Sequence, residues 1–260
     1  MHSNSEALTI SELAPTACSI CGERCLKLLG SKDFGISGSD YFIGNRTFKD
    51  YGVLIPYFEC QQCFFVFTNA FDNWTDLDWR QHVYNDGYVL ADPPFVSERP
   101  CRNAQLIEGL FHRELPTLSI LDIGSGSGKM SDALKAKAKQ VVSWDPHYCD
   151  ESVSEQQRFD LITSFECVEH VPHHRQLELA ESFARKLLRT PSARILFSTE
   201  LQSTASNLDW WYICPRNGHI SIHSRQSLSI MMSRFHLSLV SINPSMHISF
   251  WKSDELDVAS

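Results

Sequence analysis

The second half of the chain alternates short apolar runs with longer amphipathic stretches, and this alternation constrains the fold more than any other feature. Short apolar runs bounded by glycine or polar residues predict buried strands, and apolar residues repeating every three or four positions predict helices. The predicted strands are 119–123, 140–144, 159–165, 193–199, 236–242 and 246–252, and the predicted helices are 129–139, 173–189 and 225–235. Such alternation predicts a parallel sheet with right-handed crossovers. A short turn at Asn243-Pro244 joins the last two strands, so this end of the sheet is predicted to be antiparallel.

Three regions of different character follow one another along the chain. Residues 1–70 hold two Cys-x-x-Cys pairs and show little helical periodicity, which indicates a small metal-binding module. Residues 71–115 are rich in Trp, Asp, Tyr and Pro and end in a predicted helix at 104–115, and we expect a linker and lid there. Residues 116–260 carry the alternating pattern and form the predicted α/β domain.

Charge and hydropathy limit the classes of function. The formal net charge is −8 and no basic stripe is visible, which argues against a nucleic-acid partner and favours a small-molecule one. No apolar run approaches the roughly 20 residues that cross a bilayer, so no membrane span is expected. The first 16 residues are polar and acidic and do not resemble an export signal, so we expect a cytoplasmic location. The oligomeric state has no signature in the sequence.

A glycine-rich turn follows the first predicted strand of the α/β domain, in the segment LDIGSGSG. Glycines between a strand and a helix allow a sharp turn and leave room for a ligand to approach the backbone. A second acidic residue ends the next strand, 23 positions after Asp122, where a carboxylate can accept the ribose hydroxyls of an adenosine ligand. The candidate ligand contacts on these two strand ends are Asp122, Gly124, Ser125, Gly126, Gly128 and Asp145.

The spacing of the glycines separates the nucleotide classes. Gly128-Lys129-Met130 lacks the hydroxyl residue of a P-loop, and the pattern is G-x-G-x-G rather than G-x-G-x-x-G. Together with Asp145 and the segment FDLITSFECVEHV, this turn resembles the class I S-adenosylmethionine-dependent methyltransferases over residues 117–252. The resemblance implies a Rossmann-like sheet and S-adenosylmethionine as methyl donor, with Asp122 and the glycines near its amino-acid part and Asp145 on its ribose. It also implies a donor contact at Phe165, at the end of the fourth strand of that family.

One departure concerns residues 146–158, the 13 positions that separate Asp145 from Phe159. The family normally fits a helix and a further strand there, together with an adenine contact. This segment is too short for both elements, so the sheet is expected to lack a strand.

The four cysteines of the first region are spaced as two zinc knuckles, Cys18-x-x-Cys21 and Cys60-x-x-Cys63. Two such knuckles close a tetrahedral Zn²⁺ site that leaves no open position, so the expected zinc is structural. Cys25 is the spare thiol, and the nine cysteines of the chain form a poor disulfide framework. This zinc-ribbon-like module before a methyltransferase domain resembles sugar- and polysaccharide-tailoring methyltransferases, some of which methylate carbon.

The loop after the predicted strand 159–165 carries the candidate catalytic groups. Glu166, Glu169 and His170 would share one face of a helical turn and could hold Mg²⁺ or another divalent cation. The E-x-x-E-H pattern resembles metal-dependent RNA 2′-O-methyltransferases and ubiquinone-pathway O-methyltransferases. In the RNA enzymes a later histidine completes the site, a position that His219 or His223 could take here. In family members without a metal, the Glu and His hold the loop by hydrogen bonds. His170 or His219 is then the candidate base, with Glu169 beside it.

Aromatic residues outside these motifs suit either substrate binding or packing. Trp210, Trp211 and Tyr212 could stack on sugar rings, or form a plug that joins the two domains. In the middle region, the candidate lid residues over the donor are Tyr84, Asn85, Tyr88 and Arg99.

The function predicted from the sequence is methyl transfer to a hydroxyl of a sugar or another small metabolite. Metal-assisted RNA 2′-O-methylation, sugar C-methylation and a non-catalytic donor-binding module are the alternatives. The acceptor cannot be derived from the sequence, because loops that are far apart in the chain build its pocket.

Overall fold

The computed structural model describes residues 8–11, 13–96, 98–148, 153–202 and 207–253. The first seven residues, which bear on the expectation of no export signal, lie outside the described residues. No helix in the described part of the chain is both long and apolar enough to cross a membrane.

Ten strands and seven helices are built from these residues. The strands are β1 (Leu26–Asp33), β2 (Leu54–Cys60), β3 (Val66–Phe67), β4 (Ser119–Ile123), β5 (Gln140–Trp144), β6 (Leu161–Phe165), β7 (Arg194–Ser198), β8 (Ser221–Ile222), β9 (Leu237–Ser241) and β10 (Met246–Trp251). The helices are α1 (Gly38–Ile43), α2 (Asp76–His82), α3 (Tyr88–Ala91), α4 (Glu98–Phe111), α5 (Lys129–Lys135), α6 (Gln176–Lys186) and α7 (Arg225–Ser233).

The larger sheet has six strands in the order β5-β4-β6-β7-β10-β9. Strands β5, β4, β6 and β7 are parallel, and β10 pairs antiparallel with both β7 and β9. This confirms the Rossmann-like α/β fold with an antiparallel last strand. Among the described residues, no strand lies beyond β5, in agreement with the short segment that follows Asp145.

Helices cover both faces of this sheet, because alternate residues of its central strands are apolar on each side. Residues of α4 and α5, such as Ile107 and Leu134, pack with Ile120 and Leu161. On the opposite face α6 and α7 pack against the same strands through Phe183 and other apolar side chains. Because β5, β4, β6 and β7 are parallel, their carboxyl ends lie at one edge of the sheet, which is where ligands of such sheets bind.

The smaller sheet has four antiparallel strands in the order β1-β2-β3-β8. Its first three strands come from the N-terminal region, and β8 is contributed by the α/β region through the pair Val66 and Ile222. The division of the chain at residues 70 and 115 stays a prediction.

Several helix boundaries differ from the sequence prediction, each for a local reason. Helix α4 starts at Glu98, earlier than expected. Pro100 does not prevent this, because it lies in the first turn, where backbone N–H groups have no helical partner. Helix α6 is preceded by a 3₁₀ turn at His173–Arg175. It ends before Leu187, whose extended backbone forms a parallel bridge with Phe159.

Candidate functional site

The turn between β4 and α5 depends on glycine at three positions. Gly124, Gly126 and Gly128 have φ angles of +73°, +54° and +74°, a region that L side chains rarely adopt. A Cβ on Gly124 would lie 2.6 Å from Cys167 Sγ, and a Cβ on Gly126 would lie 3.2 Å from the Phe95 ring. A side chain at Gly124 or Gly126 would therefore be strained by the backbone angle, and it would also press on Cys167 or Phe95.

Asp145 fixes the shape of this turn from the end of β5. Its Oδ2 accepts a hydrogen bond from the N–H of Gly126 at 2.8 Å, and its Oδ1 accepts from the N–H groups of His147 and Tyr148 at 2.8 and 3.0 Å. The side chain also lines the cavity described below. Asp145 therefore holds the turn in shape from the predicted strand end, and its contact with a ribose stays a prediction.

Asp122 is buried beneath the turn, with only 2% of its surface exposed. Its two carboxylate oxygens accept hydrogen bonds from Ser131 Oγ at 2.8 Å and Thr163 Oγ1 at 2.9 Å. Burial raises the pKa of this carboxyl to about 6, although both hydrogen bonds oppose the shift. The charge of Asp122 is therefore held at a cost in stability.

A cavity of about 500 Å³ opens over this edge of the sheet. Its inner wall includes the predicted donor contacts Asp122, Gly124, Ser125, Gly126, Asp145 and Phe165. Gly128 is not on this wall; it is the N-cap of α5. Ser125 Oγ is buried in the wall and has no hydrogen-bond partner among the described residues.

The middle region forms one side of the cavity with aromatic rings and one ion pair. Tyr84 packs on His147 with ring centroids 4.6 Å apart, and Tyr88 meets Phe95 edge to face at 5.2 Å. Arg99 also lines the cavity, where it forms a bidentate pair with Asp92 at 2.6 and 2.9 Å. Asn85, a fourth predicted lid residue, is not on the wall and binds the buried guanidinium of Arg216 at 2.9 Å.

The structure brings three of the predicted catalytic residues into one group. Ligand atoms of Glu169, His170 and His219 all lie within 4.8 Å of one another, and His170 Nε2 is 3.8 Å from Glu169 Oε1. The rings of His170 and His219 meet edge to face at 4.9 Å. Of the three, His170 lines the cavity, whereas the other two lie behind it.

Burial sets the protonation of this group. Glu169 is fully buried, neither carboxylate oxygen has a hydrogen-bond partner among the described residues, and burial raises its pKa well above the usual range. Burial lowers the pKa of His170, and lowers that of His219 to about 3. His219 Nδ1 lies 2.8 Å from the carbonyl oxygen of Tyr212 and must donate to it, which leaves Nε2 with its lone pair. Both imidazoles are therefore neutral near pH 7.

Glu166 lies apart from the other predicted ligands. The expected helical turn does not start there, because Glu166 has a left-handed φ of +49° and a 3₁₀ turn forms only at Val168–His170. Its carboxylate accepts from Ser198 Oγ at 2.7 Å and from the Tyr212 hydroxyl at 3.4 Å. His223 is also outside the group of Glu169, His170 and His219. Its Nδ1 lies 3.0 Å from Ser227 Oγ and its Nε2 lies 3.1 Å from Gln176 Oε1.

Trp210, Trp211 and Tyr212, which the sequence offered for stacking on sugar rings, do not line the cavity. Tyr212 is buried against His219 at 4.3 Å, and Trp211 packs on the ring of Phe42 at 5.1 Å. The tryptophans that do line the cavity are Trp74, Trp79 and Trp144. The sequence prediction gave no site role to Trp74 and Trp79, because they fall in a region without motifs.

The four paired cysteines come together at the N-terminal sheet. Cys18 Sγ is 3.6 Å from Cys63 Sγ, and Cys21 Sγ is 3.5 Å from Cys60 Sγ. Tetrahedral Zn–S bonds of about 2.3 Å put neighbouring sulfurs about 3.8 Å apart, so the four thiols fit a zinc ion. The spare Cys25 is exposed and is not in this group.

Comparison with known proteins agrees with this geometry. A family model described as a methyltransferase domain matches residues 95–242, more than half of the chain. No curated protein sequence matches the chain.

Many solved structures are similar in fold, at low identity. They include CalO1, a methyltransferase in calicheamicin biosynthesis in its SAH-bound form, with 11% identity, a TM-score of 0.44 and coverage of 64% of this chain and 60% of that one. An O-methyltransferase family protein from Burkholderia thailandensis has 12% identity and a TM-score of 0.49, with coverage of 67% of this chain and 63% of that one. Magnesium protoporphyrin IX methyltransferase from Synechocystis PCC 6803 with bound SAM has 14% identity and a TM-score of 0.43, with coverage of 70% of this chain and 94% of that one.

The match thus spans less than two thirds of the length of the first two of these structures. The family model covers the glycine turn, Asp145 and the loop with His170. The chain therefore belongs to the family of proteins with a methyltransferase domain, and its larger sheet has the Rossmann-like α/β architecture.

Proposed function

We propose that this protein transfers a methyl group from S-adenosylmethionine to a hydroxyl of a small, sugar-type acceptor. One observation supports this most strongly: a single cavity runs from the glycine turn and Asp145 to the neutral imidazole of His170. Methyl transfer needs a donor and an acceptor aligned in one enclosed space, with a base beside the acceptor hydroxyl.

The donor would lie along the inner wall of the cavity. The bare backbone of Gly124–Gly126 would face its amino-acid part, and Asp145 would accept its ribose hydroxyls. Ser125 Oγ, which is buried without a partner among the described residues, would gain a hydrogen bond when the donor binds. Asp122, close below, would favour the positive charge of the donor's ammonium group.

His170 is the proposed base, because it is the imidazole of the group that faces the cavity. A neutral imidazole can take the proton of an acceptor hydroxyl as the methyl group is transferred. His219 would act as a positioning residue behind it, held by its hydrogen bond to Tyr212. Trp74 and Trp79, which line the cavity, offer flat apolar faces that suit a sugar ring.

The group Glu169, His170 and His219 also fits a divalent cation, and its two imidazoles favour a transition-metal ion over the Mg²⁺ that the sequence suggested. Two buried carboxylate oxygens lack partners among the described residues, and a cation would restore the charged form of Glu169. Such an ion would bind vicinal hydroxyls of the acceptor and lower their pKa. We include Glu166 only as a support of the loop, since its oxygens are already bonded to Ser198 and Tyr212.

We also propose that the four paired cysteines hold a structural zinc ion. Cys18, Cys60 and Cys63 belong to the same buried cluster as apolar residues of the larger sheet. The ion would therefore stabilise the junction between the two sheets, without contacting substrate.

Titration with S-adenosylmethionine tests the proposal. Gly126→Val places a branched side chain against Phe95, and Asp145→Asn weakens the anchor of the loop, so each should lower donor affinity at least tenfold. Gly44→Val is the matched control, because Gly44 has a similar φ of +75° and open space around it. Unchanged affinity in both site variants would reject the donor site.

The methylated atom needs a separate experiment. Turnover of a donor labelled with ¹³C in its methyl group, on a panel of glycosides and sugar nucleotides, gives a product whose carbon spectrum separates O-methyl from C-methyl. Normal donor affinity without turnover would favour the non-catalytic module. Association with RNA that weakens steeply with salt would favour a nucleic-acid substrate.

A further inference from the structure

A second cluster of potential ligands lies at the mouth of the cavity and has no role in the proposed methyl transfer. His173 Nε2 is 3.1 Å from Asp72 Oδ2, and His174 Nδ1 is 3.2 Å from Asp72 Oδ1. The ligand atoms of the three residues lie within 4.8 Å of one another. One carboxylate thus faces two imidazoles, from segments that are about 100 residues apart in the chain.

The fold holds these three side chains in place before any ligand binds. Asp72 follows β3 in a turn, in which the N–H of Asp72 donates a hydrogen bond to the carbonyl oxygen of Asn69 at 3.2 Å. His173 and His174 form the 3₁₀ turn that leads into α6. The ring of Phe67 packs on His173 with centroids 4.5 Å apart, which fixes the plane of that imidazole.

We propose that Asp72, His173 and His174 form a binding site for a divalent transition-metal ion. A metal with bonds of about 2.1 Å separates neighbouring ligand atoms by about 3.0 Å in octahedral and 3.4 Å in tetrahedral geometry. His173 lies 3.1 Å from Asp72 Oδ2 and His174 lies 3.2 Å from Asp72 Oδ1, so an ion chelated by both carboxylate oxygens would have each imidazole at such a distance from its nearer oxygen. The ligand set of two imidazoles and one carboxylate suits zinc, nickel, cobalt or copper better than calcium or magnesium.

The surroundings favour a cation with open coordination positions. Asp72 and His174 line the cavity, so water or an acceptor oxygen can reach the remaining positions. Asp76 lines the same mouth and adds negative potential, whereas Glu178, which also lines it, is paired with Arg175 at 3.2 Å. The ion would also tie the turn after β3 to the start of α6, and so stabilise the outer wall of the cavity.

Isothermal titration with Ni²⁺ tests this site, in zinc-loaded protein that carries Glu169→Gln to disable the inner group. We expect one Ni²⁺ per chain, and at least a tenfold loss of affinity in Asp72→Asn and in His174→Ala. The His174 side chain is 44% exposed, so its removal leaves the fold intact. Glu178→Gln is the control, because it removes a carboxylate of the same mouth that is outside the cluster, and its affinity should stay unchanged.

Thermal unfolding provides a second readout, since an ion that binds only the folded chain raises Tm. Ni²⁺ should raise the Tm of the parent and of Glu178→Gln, but not that of the two cluster variants. Absence of Ni²⁺ binding, or equal affinity in parent, Asp72→Asn and His174→Ala, would overturn the proposal. Neither result touches the donor site, which S-adenosylmethionine titration of the same protein tests on its own.

Discussion

Asp122→Asn exchanges a buried carboxyl for an amide of nearly the same shape. In the amide, the oxygen still accepts from one of the two hydroxyls, Ser131 or Thr163, and the nitrogen donates to the other. The substitution therefore removes the negative charge while both hydrogen bonds are kept.

The magnitude follows from the pKa of Asp122, which burial raises from 3.8 to about 6. About two pKa units correspond to about 3 kcal/mol of unfolding free energy. Because the folded chain binds this proton more tightly than the unfolded chain, the associated stability is complete below about pH 4 and is lost as pH rises through about 6. At pH 8 the charged form is thus retained at a cost of about 3 kcal/mol.

Urea unfolding of the parent and of Asp122→Asn between pH 4 and pH 8 measures this cost. The asparagine variant should be the more stable one at pH 8, and the gap should shrink towards pH 4. Donor affinity should fall at the same time, because the proposed donor site would lose the negative charge that favours the donor's ammonium group. A variant that is less stable than the parent at every pH, with the gap independent of pH, would refute the reasoning.

Three further predictions concern other parts of the structure. Cys60→Ser should lower the zinc content below one ion per chain and lower Tm, whereas Cys25→Ser, at an exposed position, should change neither, as measured by metal analysis and thermal unfolding. Gly124→Ala should lower the free energy of unfolding in urea more than Gly52→Ala does. Both glycines have positive φ, which alone costs about 1–2 kcal/mol, but only at Gly124 would the new Cβ meet a neighbouring thiol, that of Cys167. Equal losses in the two variants would contradict this close packing. His170→Ala, which removes the proposed base, should lower kcat on the order of 10²-fold or more while donor Kd stays within about twofold. A donor Kd that rises in parallel would instead place this residue in the donor site.

The sequence predicted most of the larger sheet, because its central strands are short apolar runs with clear ends. The strands 119–123 and 140–144 were placed to the residue. Helix ends were less predictable: the start of α4 depends on a proline in the first turn, and the end of α6 depends on the long-range bridge at Leu187. Such contacts have no signature in a local pattern.

Site residues on backbone motifs were more predictable than those that depend on side-chain direction. Spacing alone predicted that Asp122 and Asp145 would lie beside the glycine turn. It could not predict that Glu166 would point to Ser198, because that follows from a single left-handed residue. Nor could it predict that Asp72 would meet His173, since the two meet only when the start of the middle region folds against the start of α6.

A crystal structure of the protein with S-adenosylhomocysteine tests the central claim most directly. The account predicts density for the ligand in the cavity, with its ribose on Asp145 and its amino-acid part along Gly124–Gly126. Density at another place, or a cavity that holds no ligand density at saturating ligand, would contradict it.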